Sequence, residues 1–184
     1  ARAAPDGTTL LLATAGQLTI AKAVGRTLPY DPIGSFTPIL HLVDSPVALL
    51  AAPDVPAADA TALLRLAREA REPLPYGSTG TGTNTHLIME DLAARTGMRV
   101  EHVPYRGAAN AFNDLAAGRI RLMFVSVPSV LAASGTPLRV LAVTSRTRFP
   151  LLPDVPTLIE AGVPDFEASI WTGLLGPAGM TPAL

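Results

Sequence analysis

The sequence predicts an α/β protein built on a largely parallel sheet, and three observations carry that expectation. Short apolar runs of strand length alternate with amphipathic stretches of helical period. The connections between them are short and punctuated by proline and glycine. Hydrophobic residues fill 48% of the 184 positions and charged residues 16%, enough to bury a core and too apolar for disorder.

The elements follow in order. Pro5-Asp6-Gly7 is a turn, and Thr9 to Thr14 is an apolar strand ended by Gly16. Ala21 to Leu28 fits a short helix, closed by Pro29-Tyr30-Asp31-Pro32. Phe36 to Val43 and Val47 to Ala52 read as two strands. Asp59 is placed to cap a helix over Thr61 to Ala70, with Leu63, Leu66, Ala67 and Ala70 facing inward. Pro73 and Pro75 forbid its continuation. A short segment ending at Tyr76 leads into a glycine-threonine loop. The next helix runs from Thr83 to Thr96, with Ile88, Met89, Leu92 and Ala93 on one face and Gly97 as its terminator. The alternation continues with strand Arg99 to Val103, helix Ala108 to Ala117 before Gly118, and strand Ile120 to Val125. Helix Pro128 to Ala133, ended near Gly135, and strand Leu138 to Val143 follow. Pro150, Pro153 and Pro156 exclude regular structure there, and Thr157 is expected to cap a short helix ending at Gly162. Trp171 to Leu175 is the last strand. In such sheets ligands bind at the carboxyl ends of the strands, beside helix N-termini.

Composition excludes several functions. The net charge is -1 and the arginines are scattered, so nothing resembles a nucleic-acid footprint. With no cysteine, disulfides, thiolate metal sites and cysteine nucleophiles are ruled out. No apolar run is long enough to span a bilayer. The start, Ala1 to Gly7, lacks the charged region and apolar core of a signal peptide, and both it and the end at Met180 to Leu184 read as cuts.

The most informative segment is Tyr76-Gly77-Ser78-Thr79-Gly80-Thr81-Gly82-Thr83-Asn84-Thr85-His86. It follows a strand and opens a helix. Its glycines allow close backbone approach, and the free N–H groups at the helix start attract an anion. The hydroxyls of Ser78, Thr79, Thr81, Thr83 and Thr85 add donors. The Gly77 to Gly82 spacing is that of a P-loop, but Thr83-Asn84 stand where Lys and Ser/Thr are required. The dinucleotide pattern also fails, with Thr85 where a third glycine belongs. An uncharged anion cradle suited to a carboxylate is left, and the pattern alone fits a glycine-rich turn with an N-cap equally well. Thr14-Ala15-Gly16-Gln17 is a weaker version of the same junction.

No catalytic set emerges. His41 and His102 fall in strands and read as packed or surface residues, and His86, in the first turn after the cradle, reads as helix packing ahead of a ligand contact. No HExxH or G-x-S-x-G is present, and Ser78 near His86 lacks a placed acid. Glu90-Asp91 and Asp165/Glu167 read as solvated faces, and Trp171 as core or as the wall of a pocket.

Seven strings, in order along the chain, carry a resemblance. They are Pro5 to Leu11, Leu28 to Pro32 with Phe36-Thr37-Pro38, Tyr76-Gly77-Ser78 to His86-Leu87, and His102 to Gly107; then Leu141 to Ser145, Leu152 to Thr157, and Gly173 to Gly179. Together they resemble the Bug (TctC-like) family of tripartite tricarboxylate transporter receptors. The resemblance implies a two-lobed type II periplasmic binding protein, a Venus flytrap. Residues 1–51 would be part of lobe one, 52–170 a nearly complete lobe two, and 171–184 the hinge crossing and return to a partial lobe one. It implies a periplasmic, monomeric receptor that captures a small organic carboxylate for a membrane permease, without cofactor, metal or catalysis. Ala15 and Gly16 in lobe one, with Ser78, Thr79, Gly82, Thr83 and Asn84 in lobe two, would hold the ligand carboxylate. The family often carries an aspartate-asparagine pair where this chain has Val125-Ser126. Ser126 takes that place in the ligand set, and loss of the acid points to a plain or more apolar acid rather than an amino acid. The same fold leaves open a ligand-sensing partner of a signalling receptor. An effector-binding domain of a regulator would need a helix-turn-helix, and the sequence has none.

Overall fold

The computed structural model describes residues 2–133 and 139–181. The chain separates into two compact units, Ala1–Asp44 with Ile170–Leu184, and Ser45–Ser169.

In the first unit, strand β1 (Leu11–Thr14) pairs antiparallel with β7 (Ser169–Pro177), Leu11 opposite Leu175 and Thr14 opposite Thr172. β7 in turn neighbours β2 (Phe36–Ala51). Ala13, Leu18, Phe36 and Leu175 form the core, with Tyr30 and Trp171 packed against it. Tyr30 meets Phe36 edge-on at 5.6 Å and donates to the Gln17 carbonyl at 2.8 Å. The helix expected over Ala21 to Leu28 lies earlier: a π-helical turn, Gly16–Ile20, runs into α1, Ala21–Ala23. The strand-to-helix bend is held by Gln17, whose Oε1 accepts from the Thr14 N–H at 2.9 Å. Gly25, at φ 75°, ends the helix, with Arg26 N–H bonded back to the Ala21 carbonyl at 3.0 Å.

The second unit holds a five-strand arrangement in the order β6–β2–β5–β3–β4. Its other strands are β3 (Leu74–Ser78), β4 (Val100–Pro104), β5 (Leu122–Ser126) and β6 (Arg139–Val143). β3 pairs parallel with β4 and with β5, whereas β2 pairs antiparallel with both β5 and β6. The sheet is therefore mixed rather than largely parallel, because β2 enters against the direction of its neighbours. Val47 to Ala52 are fully buried, as an apolar strand covered on both faces must be.

Two strands expected at 36–43 and 47–52 are one 16-residue strand, β2. Pro46 falls just before the ladders to β5 and β6 begin at Val47 and Ala48, where those ladders demand no N–H of it. The helices are α2 (Ala60–Glu69), α3 (Asn84–Thr96), α4 (Ala108–Ala116) and α5 (Val127–Ala132). Leu64 joins Leu63 and Ala67 on the buried face of α2. Gly97, at φ 72°, terminates α3 as expected. The helix expected at Thr157 does not form. Thr157 and Glu160 make a reciprocal capping box (2.7 and 3.0 Å), but turns follow, ended by Gly162 at φ 94°. The expected end of α5 near Gly135, the start of β6 at Leu138 and the terminal residues 182–184 lie outside the described residues.

Asp59 caps α2, its Oδ1 accepting from Ala62 N–H at 2.7 Å. Asp59→Ala should therefore lower stability by about 1 kcal/mol, measured as a shifted urea midpoint with an unchanged slope.

Candidate functional site

Strands β3 and β5 run parallel, with Gly77 opposite Met123, so their carboxyl ends share one sheet edge. The β3–β4 ladder ends with Ser78 opposite Pro104 at that edge. Val47 pairs with Ser126 and Ala48 with Val143, which brings the residues after β6 there too. Ser78 to His86, Ser126 and Thr144-Ser145 thus gather where ligands bind in open α/β sheets.

The loop from Ser78 to Thr83 is closed by its own hydrogen bonds. Ser78 Oγ accepts from Gly80 N–H at 3.1 Å, and Thr83 N–H donates to the Gly80 carbonyl at 3.2 Å. Thr79, Thr83 and Thr85 bring their hydroxyls within 3.3 Å of one another, and Thr79 N–H donates to Thr85 Oγ1 at 3.1 Å. Gly80 and Gly82 take φ values of 137° and 71°, conformations that side chains rarely adopt. Gly77 has a different constraint: a Cβ there would lie 2.5 Å from Ile120 Cδ1.

Helix α3 begins at Asn84 with no side-chain cap from Thr83. The N–H groups of Asn84, Thr85 and His86 therefore have no partner within the helix, and they sit at its positive end. Asn84 is partly exposed, and its amide makes no hydrogen bond among the described residues. Gly82 is buried, whereas Thr79 and Thr83 are partly exposed. Ser78 is fully buried and faces inward. Ser126 Oγ bonds to Ser129 Oγ at 2.8 Å. Ala15 and Gly16 belong to the other unit, where Ala15 is buried and Gly16 opens the π-helical turn.

Beneath the loop lies a cluster that sequence reasoning missed. His86 and His102 stack at 3.9 Å between ring centroids, and Tyr76 stacks on His102 at 5.1 Å. His102 Nε2 is 2.6 Å from Ser78 Oγ, and His86 Nδ1 accepts from Gly82 N–H at 3.1 Å. Tyr76 donates to Glu90 Oε1, which lies 3.9 Å from His86 Nε2. Burial, then Glu90, raises the Tyr76 pKa well above the usual phenol range. Burial first and His86 second lower that of His102, against an opposing pull from Glu90. The signal was available once β3 and β4 were taken as parallel neighbours, because register then sets Tyr76 beside His102. Ser145 is a second miss: its Oγ is buried without a hydrogen-bond partner among the described residues. Nothing in the pattern Leu141 to Ser145 marks that atom.

No carboxylate orients His102 Nδ1 among the described residues, and the serine is buried. No metal-binding group of His, Asp or Glu occurs among the described residues.

The profile described as tripartite tricarboxylate transporter family receptor matches residues 1–184. A protein from the tcbD-tcbE intergenic region of a Pseudomonas species is 40% identical over 97% of this chain and 54% of its own. An R. palustris protein solved with adipate superposes with a TM-score of 0.92 at 34% identity, over 99% of this chain and 61% of that one. The periplasmic binding protein BugD superposes with a TM-score of 0.85 at 33% identity, over 99% and 61%. The chain spans about half the length of the curated relatives it matches.

Gly82→Ala should cost about 1 kcal/mol, because alanine is strained at φ 71°. Thermal unfolding measures the loss, and faster hydrogen exchange at the Thr83 amide locates it in the loop.

Proposed function

The chain belongs to the tripartite tricarboxylate transporter receptor family, and we propose that the protein captures a small organic carboxylate in the periplasm and delivers it to a membrane permease. The observation that carries this reading is the uncapped start of α3, with partnerless N–H donors and the unbonded Asn84 amide at the carboxyl edge of the sheet. A neutral array of donors suits a carboxylate because its hydrogen bonds and the helix dipole stabilise the anion without a counter-ion. The adipate bound by the R. palustris protein fits a ligand of this chemical class.

Roles follow from position. Asn84 and the first-turn N–H groups take the carboxylate directly, with Thr79 and Thr83 contributing hydroxyls. Ser78 and Gly82 shape the loop from beneath, given their burial. Ser126 sits at the end of β5, where an acid would favour an ammonium-bearing ligand. Ala15 and Gly16 supply the corresponding strand-to-helix junction of the other lobe. Residues 1–51 and 171–184 then form part of lobe one and the hinge return, and 52–170 form lobe two. Lobe one is completed by further chain, which accords with the exposed apolar residues Leu12, Ile33 and Leu40 of the first unit. The receptor acts as a monomer, and closure of the lobes on the ligand presents the form that the permease recognises.

Isothermal titration of the full-length protein tests the ligand class. Adipate and other simple dicarboxylates should bind, and glutamate and aspartate should bind at least tenfold more weakly. Tight binding of either amino acid, with silence from the simple acids, would overturn the proposal. Asn84→Ala should weaken adipate binding roughly 10- to 100-fold, the loss of one hydrogen bond to a charged group.

A further inference from the structure

The loop that would receive the carboxylate rests on two imidazoles, and each contact between imidazole and loop depends on protonation. His86 Nδ1 accepts from the Gly82 N–H at 3.1 Å, so that nitrogen carries no proton. A proton there would set two donors face to face and break the bond. His102 Nε2 and Ser78 Oγ lie 2.6 Å apart, and the Ser78 hydroxyl has a single proton to place. With Nε2 bare, the hydroxyl donates to His102 and its oxygen accepts from Gly80 N–H. Neutral His102 can keep Nε2 bare in one tautomer, whereas the cation carries a proton there, so its imidazole donates and the hydroxyl must turn to the Gly80 carbonyl, 3.1 Å away. The Gly80 carbonyl already accepts from Thr83 Oγ1 at 2.7 Å and from Thr83 N–H at 3.2 Å. A third donor would crowd an oxygen with two lone pairs.

We propose that the stacked pair His86–His102 is a positioning element that holds the 78–86 loop in its ligand-receiving shape only while both imidazoles are neutral, so that acidification loosens the loop and releases the carboxylate. The inference rests on the carboxylate-binding reading above for its second half alone; the loop transition stands without it.

The surroundings decide the direction. The groups facing the pair are Tyr76 from β3, Glu90 from α3 and each imidazole towards the other. Rings 3.9 Å apart cannot both charge without repulsion. Glu90 favours one positive charge, but Tyr76 already occupies its Oε1 as a donor. Burial, and after it His86, keeps the His102 pKa below its ordinary 6.5. A lowered folded value means that the unfolded chain takes up the proton first. The stabilisation is complete above about pH 6.5 and is lost as the pH falls through the folded value. A charged imidazole would also attract the ligand through space. The loop contacts win if the loss of the Gly82 and Ser78 bonds disorders the donors that touch the carboxylate.

The test uses the full-length protein, labelled with 15N. Without ligand, the Gly80 and Gly82 amide resonances are followed from pH 8 to 5 alongside the imidazole nitrogens. Both amides should move with the same midpoint as an imidazole. Adipate affinity is then measured at pH 7.5 and 5.5 for the wild type, His86→Asn, His102→Gln and the double variant His86→Asn/His102→Gln. The Asn carbonyl can accept from Gly82 without titrating, and the Gln amide can reach Ser78. Wild-type affinity should fall at least fivefold on acidification, and the ratio for the double variant His86→Asn/His102→Gln, which has no imidazole under the loop, should stay within twofold. Every protein meets the same ligand charge at each pH, so protonation of adipate cancels in the comparison. Amides indifferent to imidazole titration would overturn the proposal, as would a parallel loss of affinity in wild type and His86→Asn/His102→Gln. If adipate binds at no pH while the amides follow the imidazoles, the switch stands and the carboxylate reading falls. The ligand-free wild-type titration decides the matter even where a variant fails to fold.

Discussion

A loop that offers bare N–H groups to a ligand must find its rigidity somewhere other than in its own ladder, and here that support comes from below. Ser78 is the last residue of β3, fully buried, and bonded to both the loop and β4. Its carbonyl accepts from the Tyr105 N–H at 3.0 Å and its hydroxyl meets His102 and Gly80. One residue therefore ties the parallel ladder to the turn that follows it. Without that tie, Gly80 and Gly82 would carry the chain through conformations that glycine pays for in entropy. The threonine hydroxyls, bonded mainly to each other and to the loop backbone, add a second brace.

The tie depends in turn on how β4 is anchored. Tyr105 donates to Asp114 on α4 at 2.7 Å, and Arg119 completes the pair at 2.7 Å. Burial, then Asp114, pushes the Tyr105 pKa up to about 12. Asp114 is held below its ordinary value by the Tyr105 hydrogen bond and then by Arg119. Gly77 sits between this anchor and the β5 side, with Tyr105, Ala111 and Ile120 crowding the space where a Cβ would stand. The missing side chain lets α4 and β3 approach closely, which keeps the loop's base narrow.

How far the sequence could lead depended on the range of the interactions. Local grammar was readable. Asp59 as a cap, Gly97 and Gly118 as left-handed terminators, and the glycine-threonine loop ahead of α3 all act within four residues of themselves. Strand-helix alternation pointed to the α/β class and the family strings to the receptor family, which the profile match and the superposition on BugD bear out. Errors came where tertiary pairing overrode local signals. The strands expected at 36–43 and 47–52 run on as one, β2, with Pro46 just ahead of the ladders to β5 and β6. Thr157 and Glu160 form a capping box that tertiary contacts keep from growing a helix, since Val143 bridges to Thr157 and Leu158 N–H donates to the Val143 carbonyl at 2.9 Å.

The histidines mark the sharper limit. His86 and His102 are 16 positions apart and lie on different elements, so periodicity treats them as unrelated. Only the parallel register, Tyr76 beside His102, together with the first turn of α3, stacks the three rings. Each residue taken singly fits helix packing or a strand face, and those readings are correct as far as they go. Stacking adds consequence rather than contradiction. A packed imidazole whose nitrogen accepts a loop N–H is both a structural strut and a titratable one, and a strut that changes from acceptor to donor cannot hold the same bond. That dual character is set by which atom faces which, a property that belongs to the fold and has no signature in the order of residues.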